Sequence, residues 1–342
     1  MGGYLTKPSS DVGGVLTKDI LVQNFKDGMY KNVIVMCGAG ISTSAGIPDF
    51  RSPSAGLYFK LRKYNLPYPE AVFEGSYFKQ NPLPFYSLCR ELYPEKLTPT
   101  TTHKFFTLLR NKNLLRRVYT QNIDALEFLA GLTKDEVIEA HGSFQRSYCT
   151  SRNCGKEYDL QWLKTEIFTP EKNDGVPKCD DCQSVVRPDI VLFGEQLPSR
   201  FHNSLSADFA ACDLLIVVGT SLAVSPFNTL VGRTKPGVPR VYINKTQPGK
   251  VEGIVGWMLS LSANVDFSRN EDLFLQGYCD EIVTELCTKA DWKEELENIE
   301  VIRQGIWEYL QCLLRQEHGV INREVLAAEP VIREFVSPAP ES

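Results

Sequence analysis

Cys149, Cys154, Cys179 and Cys182 stand in two short pairs, separated by four and by two residues. Two such knuckles supply four thiolates, the closed tetrahedral ligand set of a structural Zn²⁺. A closed set leaves no place for water, so this metal would hold structure and not catalyse. The remaining cysteines among the 10 (Cys37, Cys89, Cys212, Cys279, Cys287 and Cys312) are scattered along 342 residues. They read as reduced thiols, not as a disulfide frame.

A second chemical signal is a glycine loop. The apolar run Val33–Met36 leads to Gly38-Ala39-Gly40-Ile41-Ser42-Thr43-Ser44-Ala45-Gly46. Glycines after a strand allow backbone to approach a pyrophosphate, and N–H groups at a following helix start can bind it. The plain alternative is a tight strand-to-helix turn with no ligand. The third glycine falls too late for G-x-G-x-x-G, and positions 58–62 are Tyr-Phe-Lys-Leu-Arg, without the ribose carboxylate of a dehydrogenase. The loop thus points to a dinucleotide but away from hydride transfer. Asp49, Phe50 and Arg51 follow Pro48, which forbids a regular helix there. Arg51 has the fork geometry to meet phosphate.

Thr120-Gln121-Asn122-Ile123-Asp124 adds amides suited to a carboxamide or a water, and a carboxylate. Its plain reading is a capped helix start. Of His103, His141, His202 and His318, only His141 combines a strand end with a neighbouring glycine, in Ala140-His141-Gly142. An imidazole there suits a general base at neutral pH.

The elements that position these residues are short apolar runs alternating with helical stretches. Val33–Met36, Arg117–Tyr119, Glu136–Glu139, Leu214–Val218 and Arg240–Asn244 read as strands, and Thr102–Lys112 as a helix. This alternation predicts an α/β fold: a Rossmann-like parallel sheet with helices on both faces. Ligands in such sheets sit beyond the strands' carboxyl ends. The polar tips include Gly219-Thr220-Ser221 and Asn244-Lys245. Two stretches break the alternation, 52–97 and 143–187. The expected organisation is a loose arm over 1–18 and a core over 19–290. The core's large domain takes 19–51, 98–142 and 188–290, and the two insertions make a small zinc-bearing domain. A helical extension over 291–328 and a proline-bearing tail over 329–342 follow.

Composition agrees with a globular chain: 43% hydrophobic and 23% charged residues. Lys+Arg 37 against Asp+Glu 42 leaves a net charge of -5, a poor match for phosphate-driven nucleic-acid binding. No apolar run is long enough for a membrane span. The start Met1-Gly2-Gly3-Tyr4-Leu5-Thr6 fits an N-myristoylation pattern, and Ser337-Pro338 a proline-directed phosphorylation site; both patterns are short and common.

As a set, Gly38–Ser42 with Gly46–Arg51, Thr120–Asp124, His141-Gly142, the cysteine pairs, Asp189–Glu195, Gly219–Leu222 and Asn244-Lys245 occur in the order seen in sirtuins. The chain resembles these NAD-dependent protein-lysine deacylases over roughly residues 20–290. It is most similar to the class I, cytoplasmic, tubulin-deacetylase type. The resemblance implies NAD and acylated lysine in proteins (tubulin- or histone-like) as reactants. It implies the cytoplasm as compartment, with the nucleus as a second one. It places Ala39, Gly40, Ile41, Ser42, Thr43 and Arg51 at the phosphates, and Asp49 and Phe50 on a cofactor loop. Gln121, Asn122, Ile123 and Asp124 would line the nicotinamide-ribose pocket. Gly219, Thr220 and Ser221 would hold phosphate or ribose, with Asn244, Lys245 and Cys279 at the adenosine half. Val191, Phe193, Gly194 and Glu195 would pair with substrate peptide. Thr246 stands where the family often has an acid.

The implied reaction has the acyl oxygen attack C1′ of the ribose as nicotinamide departs. His141 serves as base for the ribose hydroxyls, and Asn122 orients ribose and water. An NAD-dependent mono-ADP-ribosyltransferase or glycohydrolase would use the same pocket. A non-catalytic NAD sensor or zinc-ribbon adaptor would not need His141 with Asn122.

Overall fold

The computed structural model describes residues 15–48, 64–92, 97–171, 173–248, 265 and 267–301. Asp49, Phe50, Arg51, the myristoylation pattern, the tail with Ser337 and most of the C-terminal extension lie outside the described residues. Chain contacts divide the protein into two units. The larger takes Met1–Ser143 and Ile190–Arg303, and the smaller, in its described part, Phe144–Asp189. The described part of the 52–97 stretch includes helices Gly75–Gln80 and Leu83–Leu92 and groups with the larger unit.

The strands in chain order are β1 (Val33–Cys37), β2 (Leu115–Thr120), β3 (Val137–Glu139), β4 (Gly142–Cys149), β5 (Glu157–Asp159), β6 (Val186–Ile190), β7 (Leu214–Val218), β8 (Arg240–Asn244) and β9 (Asp272–Gln276). The larger unit carries a six-stranded sheet ordered β3-β2-β1-β7-β8-β9, parallel at every pairing. Counted within that sheet the order is 3-2-1-4-5-6, which reverses between β1 and β7. That order defines the doubly wound dinucleotide fold, and the reversal is its ligand crevice.

β1 and β7 lie at the centre, and every residue of both is buried. Their runs Val-Ile-Val-Met-Cys and Leu-Leu-Ile-Val-Val suit a strand covered on both faces. One face packs Ile34, Met36, Tyr119, Leu215, Val217 and Tyr242 against Phe201, Leu205 and Phe209 of the helix Ser199–Ala211. β9 escaped the sequence reading because Asp272-Leu-Phe-Leu-Gln is a short edge run with little alternation. It is held by a buried ion pair, Arg240 Nη2 to Asp272 Oδ2 at 2.5 Å.

The glycine loop departs from expectation in one respect. It leads not into a regular helix but into two 3₁₀ turns, Ala39–Ile41 and Thr43–Ala45. Gly46 ends the second with a left-handed φ of 91°, and Pro48 follows.

The smaller unit has a three-stranded sheet ordered β5-β4-β6 and the helix Leu160–Phe168. One buried cluster gathers Cys149, Tyr158, Cys179 and Val186, with Cys154 and Trp162 packed against it; Phe144 and the helix residues Leu160, Leu163 and Ile167 are buried as well.

Candidate active site and cysteine cluster

The strand tips of the larger unit converge on the β1–β7 reversal. Glycine is required there because two loops touch through their backbones. Gly40 N donates to Gly219 O at 2.8 Å, and a Cβ on Gly40 would lie 2.7 Å from that oxygen. Gly219 has a φ of 64°, and a Cβ on it would meet Ile41 N at 2.6 Å. A Cβ on Gly38 would fall 2.8 Å from Gln121 Oε1. The close approach that the sequence assigned to a pyrophosphate is therefore also an approach of chain to chain.

A hydrogen-bonded network joins the first loop to the tip of β2. Asn122 Nδ2 donates to Gly38 O at 3.3 Å and to Ser42 Oγ at 3.2 Å. The Ser42 hydroxyl donates to Asp124 Oδ2 at 2.7 Å, and Leu126 N donates to Asp124 Oδ1 at 3.1 Å. Ser42, Asn122 and Asp124 are all buried. Burial pushes the Asp124 carboxyl up, and the Ser42 and Leu126 donors oppose the shift. Ala125, next in the chain, sits in the left-handed region at φ 58°, a cost of order 1 kcal/mol or more that the surrounding bonds sustain.

Thr220 Oγ1 donates to Gln121 Oε1 at 2.6 Å, so the tips of β7 and β2 are also tied. Tyr242 Oη donates to Thr220 O at 2.7 Å, and Asn244 Nδ2 donates to Tyr242 Oη at 3.0 Å. Ser221 is half-buried beside them. Lys245 is exposed, with its Nζ 4.2 Å from the ring centroid of Tyr278. Cys279 opens the helix Cys279–Lys289 and is buried; burial pushes its thiol up to about 12, so it stays protonated.

His141 follows β3 and is half-buried. Its Nδ1 lies 2.9 Å from Gln121 O. A carbonyl oxygen only accepts, so Nδ1 carries the proton and Nε2 presents a lone pair. Burial holds the imidazole below its ordinary pKa, while the Gln121 carbonyl pulls the other way. The ring is thus neutral and ready to accept a proton at neutral pH.

The sequence-predicted residues within the described range therefore gather at the carboxyl edge of one sheet: Ala39–Thr43, Gln121–Asp124, His141, Gly219–Ser221, Asn244, Lys245 and Cys279. Val191 continues from β6, and its N–H donates to His141 O at 2.8 Å. Phe193 bridges the 73–75 chain, with its N–H on Phe73 O at 2.7 Å and its carbonyl accepting from Gly75 N at 3.3 Å. Glu195 Oε2 accepts from Leu192 N at 3.0 Å; Phe193, Gly194 and Glu195 are exposed.

Sequence reasoning missed three supporting groups. Asp280 accepts from Ser44 Oγ at 2.6 Å and from Thr102 Oγ1 at 2.6 Å. Glu127 is 1% exposed and close enough to Asp124 that burial, then the Asp124 charge, raise its carboxyl to about 8. His103 is wholly buried. The spacing Thr100-x-x-His103 carried a helix-capping signal for the last of these. Nothing local marked Glu127 or Asp280.

In the smaller unit the four predicted cysteines meet. One sulfur from each lies within 4.8 Å of the others. Cys149 and Cys182 Sγ are 3.4 Å apart, and Cys154 and Cys179 Sγ 3.6 Å. Those spacings fit thiolates sharing one tetrahedral ion, where ~2.3 Å metal–sulfur bonds put sulfurs somewhat under ~4 Å apart. Backbone N–H groups of Ser151, Lys156, Asp181, Cys182 and Ser184 point at the sulfurs. Tyr158 Oη donates to Cys179 Sγ at 3.1 Å, and that bond holds the Cys179 thiol down, at about 6. A donor set arranged around thiolates suits Zn²⁺, which accepts deprotonated sulfur.

The strand order, the glycine-lined reversal and the polar tips define a doubly wound dinucleotide-binding protein with a separate four-cysteine metal module. The chain belongs to the Sir2 family, whose model matches residues 38–226. It is 50% identical over 318 residues to the NAD-dependent protein deacetylase sirtuin-2 of Danio rerio, covering 92% of this chain and 79% of that one. It is 48% identical to the NAD-dependent deacetylase sir2A of Dictyostelium discoideum, over 79% of this chain and 51% of the relative. The NAD-dependent protein deacetylase hst2 of Schizosaccharomyces pombe is 45% identical, over 80% of this chain and 76% of its own length.

Proposed function

We propose that the chain is an NAD-dependent protein-lysine deacetylase that moves the acyl group to ADP-ribose and releases nicotinamide. The observation that carries this reading is the neutral His141, its Nδ1 committed to Gln121 O at 2.9 Å, within the same strand-edge cluster as the Asn122–Ser42–Asp124 network. NAD supplies its own leaving group, so the protein's work is to position, to stabilise charge and to move protons.

Each residue then has a task. The N–H groups of the Ala39–Thr43 turns, with Arg51, hold the phosphates. Gln121, Asn122, Ile123 and Asp124 form the nicotinamide-ribose wall. Gly219, Thr220 and Ser221 meet phosphate or ribose, and Asn244, Lys245 and Cys279 the adenosine half. His141 Nε2 takes the proton of a ribose hydroxyl. Asp49 and Phe50 lie on the cofactor loop, and Phe50 excludes water from the reacting carbon. The substrate peptide adds along Val191–Glu195 as a strand. Both backbone groups of Phe193 and the N–H groups of Val191 and Glu195 already have partners, so the pairing turns on the Gly194 N–H and the carbonyls of Val191, Gly194 and Glu195. The four thiolates hold a structural Zn²⁺.

The substrates are lysines acylated in proteins, tubulin- and histone-like chains among them, and the cytoplasm is the proposed compartment. No helix of the described residues is long and apolar enough to cross a membrane.

An acetyl-lysine peptide incubated with the protein should lose its acetyl mass only when NAD is added. Loss without NAD, or no loss across a panel of acyl peptides, contradicts the assignment.

A further inference from the structure

Behind Asp124 lies a buried polar group that none of the roles above uses. His103 sits in the first turn of the helix Thr101–Asn111, where it closes a capping box with Thr100. Thr100 N donates to His103 Nδ1 at 3.2 Å. The Thr100 hydroxyl, 2.8 Å from that nitrogen, donates to Ile41 O at 2.9 Å. A nitrogen that accepts from a backbone N–H carries no proton, so the proton of the neutral ring is on Nε2. Burial keeps the ring neutral, holding its pKa at about 3 even though the Asp280 charge pulls upward.

Nε2 has no hydrogen-bond partner among the described residues. A ring nitrogen of His103 and one carboxylate oxygen each from Asp124 and Glu127 all lie within 4.8 Å of one another. With Nδ1 turned to Thr100, Nε2 is the nitrogen left to face the two acids. These residues are 0%, 6% and 1% exposed. The trio has the residue types of a cation site, but a metal ligand must offer a lone pair and Nε2 offers a proton. At most 4.8 Å separates these atoms, a distance that one water held by three polar partners can span. Glu127 also receives the Cys37 thiol, 3.7 Å from its Oε1. Its raised carboxyl keeps its proton at neutral pH. Asp124 accepts on both of its carboxyl oxygens, from the Ser42 hydroxyl and from Leu126 N.

We propose that His103 is a positioning residue: its Nε2–H supports the Asp124 carboxylate across one water shared with Glu127, and so fixes the nicotinamide-ribose wall from behind. The proposal rests on the reading that Asp124 lines that wall. It adds a link from the Thr101–Asn111 helix cap to the pocket, through Thr100 to Ile41 on one side and through His103 to Asp124 on the other.

The test combines spectroscopy on the native chain with two variants. In protein labelled with ¹⁵N-histidine, one of the four histidines should show a protonated Nε2 and no titration near neutral pH. That signal should shift when nicotinamide is added. A protonated Nδ1, a charged ring or a signal indifferent to nicotinamide overturns the proposal. Among variants, His103→Gln keeps both functions, since its carbonyl can accept from Thr100 N and its amide can donate onward. It should leave the KM for NAD within about twofold of the native value. His103→Leu removes both and should raise the KM for NAD about tenfold, with kcat changed far less. A His103→Leu protein of lowered melting point but unchanged KM would show a purely structural histidine. Should that variant not fold, the native-chain signal and the His103→Gln KM decide. A native chain that neither turns over NAD nor binds nicotinamide would instead sink the functional reading, and the tautomer would still be read.

Discussion

The two units keep their shape by different means. The strand-edge site of the larger unit rests on a sheet whose central strands β1 and β7 are buried at every position. Its polar groups are already bonded to one another: Ser42 to Asp124, Asn122 to Gly38, Thr220 to Gln121, His141 to the Gln121 carbonyl. The smaller unit buries Tyr158 and Val186 around its cysteines, and Phe144, Leu160, Leu163 and Ile167 beside them. A unit this small gains much of its order from a bound metal, and the quartet of sulfurs offers the site for one. One site is bonded into a packed sheet; the other gathers four sulfurs close enough to share a metal.

Removing the metal should break the contrast most sharply. Chelation, or Cys179→Ser, should cost the smaller unit on the order of 10 kcal/mol and unfold it. The β1–β7 sheet, followed by amide exchange, should stay protected. A smaller unit that keeps its exchange protection without metal would contradict the account.

His141→Ala is the opposite experiment. It should lower deacetylation by about 10²–10⁴-fold while NAD still binds and the melting profile hardly moves, as for a base on a rigid scaffold. Steady-state rates with calorimetric NAD titration check it. Near-native turnover would remove His141 from the mechanism.

Acidity probes the buried polar interior. Glu127 and Glu139 are raised from 4.5 to about 8, chiefly by burial. The folded chain therefore keeps protons that the unfolded chain has released. The contribution of these two groups should be full below about pH 4.5 and decline as pH rises toward about 8. Melting temperatures across that window should fall, and Glu127→Gln should flatten part of the slope. A rise with pH would contradict the burial argument.

The smallest effect belongs to Tyr158. Its hydroxyl donates to Cys179 Sγ at 3.1 Å and accepts from Asp180 N at 2.9 Å. Tyr158→Phe should leave the smaller unit folded but speed zinc transfer to a chromophoric chelator by about tenfold. An unchanged rate would leave that hydrogen bond without influence on the metal.

Much of this was legible in the residues. Leu214–Val218 and Arg240–Asn244 matched their strands because continuous β-branched and apolar runs have few other homes. The cysteine spacing announced its cluster because metal ligation dictates spacing locally. His141 stood out for its strand end and its neighbouring glycine. Other features are properties of topology. Gly40 and Gly219 are far apart along the chain, and only the sheet order places one against the other. Glu127 looks like any helix-start acid until the chain buries it beside Asp124. The 3₁₀ turns after Gly38 were hidden because a glycine loop ahead of Pro48 carries no period from which to tell 3₁₀ from α.

The central claim is that breaking NAD and deacylating lysine are one coupled event. It is tested most directly by nicotinamide release with and without an acetyl-lysine peptide. The account predicts release that depends on the peptide and matches free lysine formed one for one. Equal release in the peptide's absence would mark a glycohydrolase and contradict it.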